Sequence, residues 1–192
     1  TATASGFTLS NTIPTRTGYT FAGWCDGTVT HNATGNDTCS GTPYLAGSAY
    51  SFASPSSTSA NTANLYAMWN VKTFAITLDK TNATAIVIDG TSYTGSSATL
   101  TYGNHTISGT YPSGYEFSSW STSDSTNLAI TSTTSASTTI TVHGEATLTL
   151  NGKTSPIGYC DNNSISDANC MQRMTASTCT TTAKTVYDDR DG

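Results

Sequence analysis

Short runs of alternating apolar and polar residues recur along most of the chain, and a period of two is the signature of half-buried β-strands. Residues 7–13 alternate loosely until Pro14 interrupts them. Clearer alternation marks 19–24, 44–52, 64–69, 74–78, 98–102, 115–120, 139–142 and 146–150. On the 64–69 run, Leu65, Ala67 and Trp69 share one face while Tyr66 and Met68 share the other. Asp89-Gly90 follows the apolar run 85–88 and leads to Tyr93, a dipeptide that closes a two-residue hairpin. The pattern changes only near the C-terminus. There Ser166 is placed to cap a short helix through Met174, with Ile165 and Cys170 as a hydrophobic staple and Met171 and Met174 on one face. The expected fold is mainly β, built of small antiparallel-sheet modules with a short C-terminal helix.

The segment Gly18-Tyr19-Thr20-Phe21-Ala22-Gly23-Trp24-Cys25 concentrates three aromatics in a chain dominated by Ser and Thr. It returns as Gly114-Tyr115-Glu116-Phe117-Ser118-Ser119-Trp120. In both copies Tyr and Phe are two apart, so on a strand they point to the same face. Aromatic side chains bury the most apolar area per residue. Tyr19, Phe21, Trp24, Trp69, Tyr115, Phe117 and Trp120 are therefore the expected core.

Composition narrows the function classes. Ser and Thr supply about a third of the residues and charged residues only 10%. Such a polar, weakly charged composition favours strands, and ten Tyr with three Trp argue against disorder. The net charge is −5 and the seven basic residues are scattered, which disfavours nucleic-acid binding. No apolar run approaches the length of a membrane span. Thr1 follows no signal-peptide pattern and reads as the start of a processed or excised segment. Cys25, Cys39, Cys160, Cys170 and Cys179 lack the paired spacing of a zinc site, so disulfides and an extracellular compartment are expected. A Cys25–Cys39 bridge would staple the polar excursion between them. Cys160 pairs with Cys170 in one arrangement, which leaves Cys179 for a partner elsewhere; Cys170 with Cys179 is the other.

Arg16-Thr17-Gly18-Tyr19-Thr20-Phe21-Ala22-Gly23-Trp24, followed by Asn64-Leu65-Tyr66-Ala67-Met68-Trp69, resembles the internalin-type B-repeat, also called the Listeria–Bacteroides repeat. The likeness spans about residues 6–70, with a weaker, divergent copy over about 72–151. Residues 170–192 resemble the start of a Fibrobacter succinogenes major paralogous domain, whose body is absent. The resemblance implies tandem β-grasp-like modules of a secreted bacterial cell-surface protein, without enzymatic activity or cofactor. Three units are expected: 1–70, whose first strand would be missing or supplied by another segment, 71–151, and a Cys-containing start of a third domain at 152–192. The joint Asn70-Val71-Lys72-Thr73 has neither Gly nor Pro, which points to a stiff connection.

Candidate chemistry is sparse. His31, His105 and His143 are far from the cysteines in sequence and are expected at the surface. Residues 161–167 look superficially like a calcium loop but lack its central Gly, and Gln172 stands where a bidentate Glu is needed. Asp188, Asp189 and Asp191 read as a solvated turn. Glu116 and Glu145 are the only glutamates and neither has an acidic neighbour for paired-carboxylate catalysis. An isopeptide crosslink from Lys72 or Lys80 would suit a surface rod. The reading is an adhesive or structural stalk whose partners are other domains of the same protein, identical subunits, or a ligand on a host or neighbouring cell. A filament subunit joined by strand complementation and a carbohydrate-binding module are the alternatives.

Overall fold

The computed structural model describes residues 6–52 and 61–155; Cys160, Cys170, Cys179 and the expected helix lie outside them. The described residues form β-strands in several small sheets and no helix, as the alternation predicts. The chain from Gly6 to Val71 carries seven short strands: β1 (Gly6–Thr8), β2 (Tyr19–Cys25), β3 (Val29–Thr30), β4 (Thr38–Cys39), β5 (Pro43–Tyr44), β6 (Ala49–Ser51) and β7 (Tyr66–Val71). They form a central sheet in the order β5-β2-β7 and two strand pairs, β1-β6 and β3-β4. Two sequence expectations shorten here. Of the 7–13 run only Phe7 and Thr8 lie in a strand, and Leu9, whose N–H still donates to Ser48 O, is buried just beyond it. The 44–52 run splits into β5 and β6 around Gly47, whose φ of 75° makes a left-handed turn.

Aromatic rings hold this part together. Phe21 contacts Trp24 and Trp69 with centroids 5.1 and 5.6 Å apart, and Phe7, Tyr44, Tyr50 and Phe52 form a second cluster along β1 and β6. Cys25 is completely buried and bonded to Cys39, with Cα atoms 5.7 Å apart.

From Thr73 the chain builds a two-layer sandwich. Its strands are β8 (Thr73–Thr81), β9 (Ala85–Ile88), β10 (Thr91–Tyr93), β11 (Ser97–Thr101), β12 (Gly103–Thr110), β13 (Tyr115–Thr122), β14 (Leu128–Ile130), β15 (Thr138–Val142) and β16 (Ala146–Thr154). One sheet runs β11-β8-β16-β13 and the other β10-β9-β12-β15-β14. The first and last strands, β8 and β16, pair in parallel, while the other pairs are antiparallel. Inward-pointing aliphatic residues close the interior: Ile76, Leu78, Leu100, Leu148 and Leu150 from one sheet meet Ile86, Ile88, Ile107, Ile140 and Val142 from the other. Asp89 and Gly90 join β9 to β10 with φ of 48° and 81°, the two left-handed residues of the hairpin turn that the dipeptide predicts.

The two aromatic motifs share local geometry. Each strand follows a left-handed glycine, Gly18 at 78° and Gly114 at 82°, and each Tyr amide closes that turn on the carbonyl three residues back. Each then carries a register shift in one place, between Phe21 and Gly23 in β2 and between Phe117 and Ser119 in β13. The extra residue resets the alternation, so Phe and Trp three apart come to one face and their rings touch. Around the motifs the sheets differ. β2 is the middle strand of its sheet, whereas β13 is an edge strand. The aromatic-core expectation therefore needs correction in the sandwich. Trp120 is buried among aliphatic residues, Phe117 packs at their margin, and Tyr115 is exposed, because the edge position of β13 leaves its outer end uncovered.

Candidate functional site

The connection between the two sheet systems is one residue. β7 ends at Val71, β8 begins at Thr73, and Lys72 is held on the same side by both partners of this shared strand. The Lys72 N–H donates to Gly18 O at 2.9 Å, extending the β2 ladder, and Lys72 O accepts from the Tyr102 N–H at 2.8 Å, extending the β11 ladder. N–H and C=O of one extended residue point the same way. Gly18 and Tyr102 consequently meet over Lys72.

Their contact is tight. A Cβ on Gly18 would lie 2.2 to 2.5 Å from Tyr102 ring atoms. The imidazole of His143 stacks on the same ring, with centroids 5.2 Å apart and planes 29° apart. His143 is itself fixed: its N–H donates to Asn127 O at 2.7 Å and its ring Nδ1 is 3.3 Å from Thr126 O. Beside this stack, Thr17, Gly18, Lys72, Phe74, Tyr102 and His143 line an open cleft of about 420 Å³. The arrangement restrains the two sheet systems relative to each other through packing and hydrogen bonding.

The expected surface placement fails for His105, which is buried. Its Nδ1 is 2.6 Å from Asp89 Oδ2 and its Nε2 is 2.8 Å from Thr101 O, so both ring nitrogens are engaged by acceptors. Asp89 also accepts from the N–H and hydroxyl of Thr106 through Oδ1. Burial pushes the Asp89 carboxyl pKa up, but the bonds from His105 and Thr106 and the nearby imidazole charge outweigh it and hold the value below the ordinary one. The lock ties the β9–β10 turn to the ends of β11 and β12.

His31 is exposed and pairs through Nδ1 with Asp37 Oδ2 at 2.8 Å. The Asp37 side chain is almost wholly covered, at 2% exposure. It accepts from Asn32 N–H at 3.1 Å and Trp69 N–H at 3.0 Å. Burial again acts upward on its pKa, and the bonds from Asn32, His31 and Trp69 with the His31 charge hold the group below the ordinary value. Asp37 thereby fastens the stapled loop along β7.

Of the other sequence candidates, Glu116 pairs with Lys153 at 3.4 Å and accepts from Ser155, and the Lys80 ammonium donates to Gly95 O. Tyr19 lies under the Arg16 guanidinium, 4.0 Å from its ring centroid. Among the described residues no group of three His, Cys, Asp or Glu side chains is placed to hold a metal ion. Tyr102 and His143, the central members of the joint, were not marked by any sequence motif. The signal was indirect: a left-handed glycine at 18 one residue before an aromatic strand leaves a bare Cα for another ring. No protein-family model matches the chain, and neither a curated protein nor a solved structure shows significant similarity to it.

Proposed function

We propose that the chain is a structural, non-enzymatic stalk segment of a secreted bacterial surface protein, one that carries an adhesive or binding region on neighbouring domains. The observation that carries this reading is the one-residue joint at Lys72, hydrogen-bonded on both flanks and clamped by Gly18, Tyr102 and His143. A flexible tether would use a longer Gly/Ser linker. The buried disulfide fits an oxidising, extracellular compartment. Each of the three histidines is engaged in a structural contact, which supports a scaffold over a catalyst. The resemblance to B-repeats points the same way.

Assembly by strand complementation is less favoured, because the outer edge of β7 is already lined by the chain's own residues 35–37. Negative-stain electron microscopy of the purified chain at neutral pH without reductant separates the two readings. Single short rods are the expected result. Uniform filaments would overturn the stalk in favour of a self-assembling subunit.

A further inference from the structure

The strand β7 has two edges. One pairs with β2; along the other lies the tip of the loop that Cys25 and Cys39 close. Asp37 N–H donates to Trp69 O at 2.9 Å, Trp69 N–H donates to Asp37 Oδ2 at 3.0 Å, and Val71 N–H donates to Gly35 O at 3.4 Å. Asn36 sits opposite Asn70 as an antiparallel bridge. The loop thus stands where a further strand would stand, and it does so with few apolar contacts of its own. Its residues 31 to 36 are largely exposed. What holds it is the pairing of β3 with β4, the Asp37 carboxylate and the disulfide at its base.

The strand it covers is unusually suited to pairing with itself. Tyr66-Ala67-Met68-Trp69-Asn70-Val71 has no charge, no Pro and no Gly, and is rich in strand-forming residues. That is the signature of a segment whose identical copies stack edge to edge once exposed.

We propose that the 26–38 loop is a disulfide-latched guard over the β7 edge, and that opening the latch lets β7 pair with β7 of a second copy of this chain. The opening step is thiol–disulfide exchange with a dithiol reductant. Its thiolate attacks the sulfur of Cys39, since Cys25 is wholly buried, and Cys25 leaves as a thiolate that takes up a proton. The second thiol of the reductant then displaces Cys39, so two electrons and two protons pass to the protein and the reductant becomes a disulfide. In the oxidised state the guard keeps the chain single; in the reduced state the same surface becomes an assembly edge.

The test uses the full chain with Cys25→Ala and Cys39→Ala, which opens the latch without touching the other three cysteines. Hydrogen exchange is read at the amides of Trp69 and Val71, with Ile107 and Ile140 in the sandwich as controls for folding. Sedimentation velocity is run on the same samples. The expected result is exchange at Trp69 and Val71 faster by on the order of a hundredfold in dilute samples, unchanged controls, and a dimer or larger species at higher concentration. Adding Asn70→Lys, a charge on the open edge, should return the variant to a monomer while exchange stays fast. Should the double variant unfold β2 and β7 altogether, Asp37→Ala with the disulfide intact reads the same opening at Val71, whose N–H is held by the Gly35 carbonyl of the loop rather than by the replaced side chain. Unchanged exchange at Trp69 and Val71 would overturn the guard. Fast exchange without association, or association that survives Asn70→Lys, would overturn pairing through β7.

Discussion

Replacing Gly18 by Ala strikes the joint at its narrowest point. Two costs add there. The backbone stands at φ 78°, where an L-residue with a Cβ is disfavoured by about 1 kcal/mol or a little more. The new methyl would also fall 2.2, 2.5 and 2.5 Å from Cδ1, Cε1 and Cγ of Tyr102, well inside contact distance. The ring has no easy retreat, because His143 covers it and is itself bound to Thr126 O and Asn127 O. Relief of such an overlap costs typically about 1–3 kcal/mol, so the sum is about 2–4 kcal/mol at the joint.

Gly114→Ala supplies the control. Its φ of 82° is nearly the same and it opens the same aromatic motif, yet nothing lies within 4 Å of the added Cβ. That variant should lose only the backbone part, about 1 kcal/mol. The assay is urea unfolding of both variants against the parent chain, with the amide chemical shift of Tyr102 as the local reporter. Gly18→Ala should lower stability by at least about 1 kcal/mol more than Gly114→Ala and move the Tyr102 resonance. Equal losses, with Tyr102 undisturbed, would refute the claim that the ring seats on Gly18.

Three further outcomes follow from the same geometry. Asp37 and Asp89 are held below the ordinary aspartate pKa in the folded chain. Their contribution to stability is therefore full above the unfolded value and is lost as pH falls through the folded values, below about pH 4; Asp37→Asn and Asp89→Asn should each flatten that acid limb in urea titrations, and an unaltered limb would contradict the assignment. Trp120 is buried and its Nε1 donates to Ser135 O at 3.1 Å, so Trp120→Ala should cost about 3–5 kcal/mol in thermal or urea unfolding, whereas Trp120→Phe should cost less by retaining most of the ring. Deleting Ser118 removes the extra residue of the β13 bulge and leaves Phe117 and Trp120 two apart on a regular strand, where they keep one face; a loss of stability well below that of Trp120→Ala is the expected reading, and a loss as large as that of Trp120→Ala would count against the bulge.

Much of the strand plan was legible because alternation is a local property of sequence. The turn at Asp89-Gly90, the strands on either side of it and the Cys25–Cys39 staple could all be read from neighbouring residues. The bulges were legible in principle: Phe and Trp three apart can share one face of a strand only if an extra residue intervenes. What local pattern does not encode is which sheet a strand joins. β8 and β9 both read as half-buried strands, yet they enter opposite layers of a sandwich. The joint was hidden for the same reason, since Gly18, Tyr102 and His143 are far apart in sequence and meet only because β2 and β11 end against the same residue. Asp37 escaped notice because a Gly/Asn/Asp-rich loop ordinarily reads as solvated, and its burial depends on β7 passing beside it.

The central claim is that Lys72 and its clamp make the two sheet systems move as one body. Backbone amide relaxation measured by NMR across residues 6–155 tests it most directly, through the rotational correlation time fitted separately to β2 with β7 and to the sandwich strands. A single shared correlation time in the parent chain, dividing into two shorter ones in Gly18→Ala, is the predicted result. Two independent correlation times in the parent chain would contradict the account.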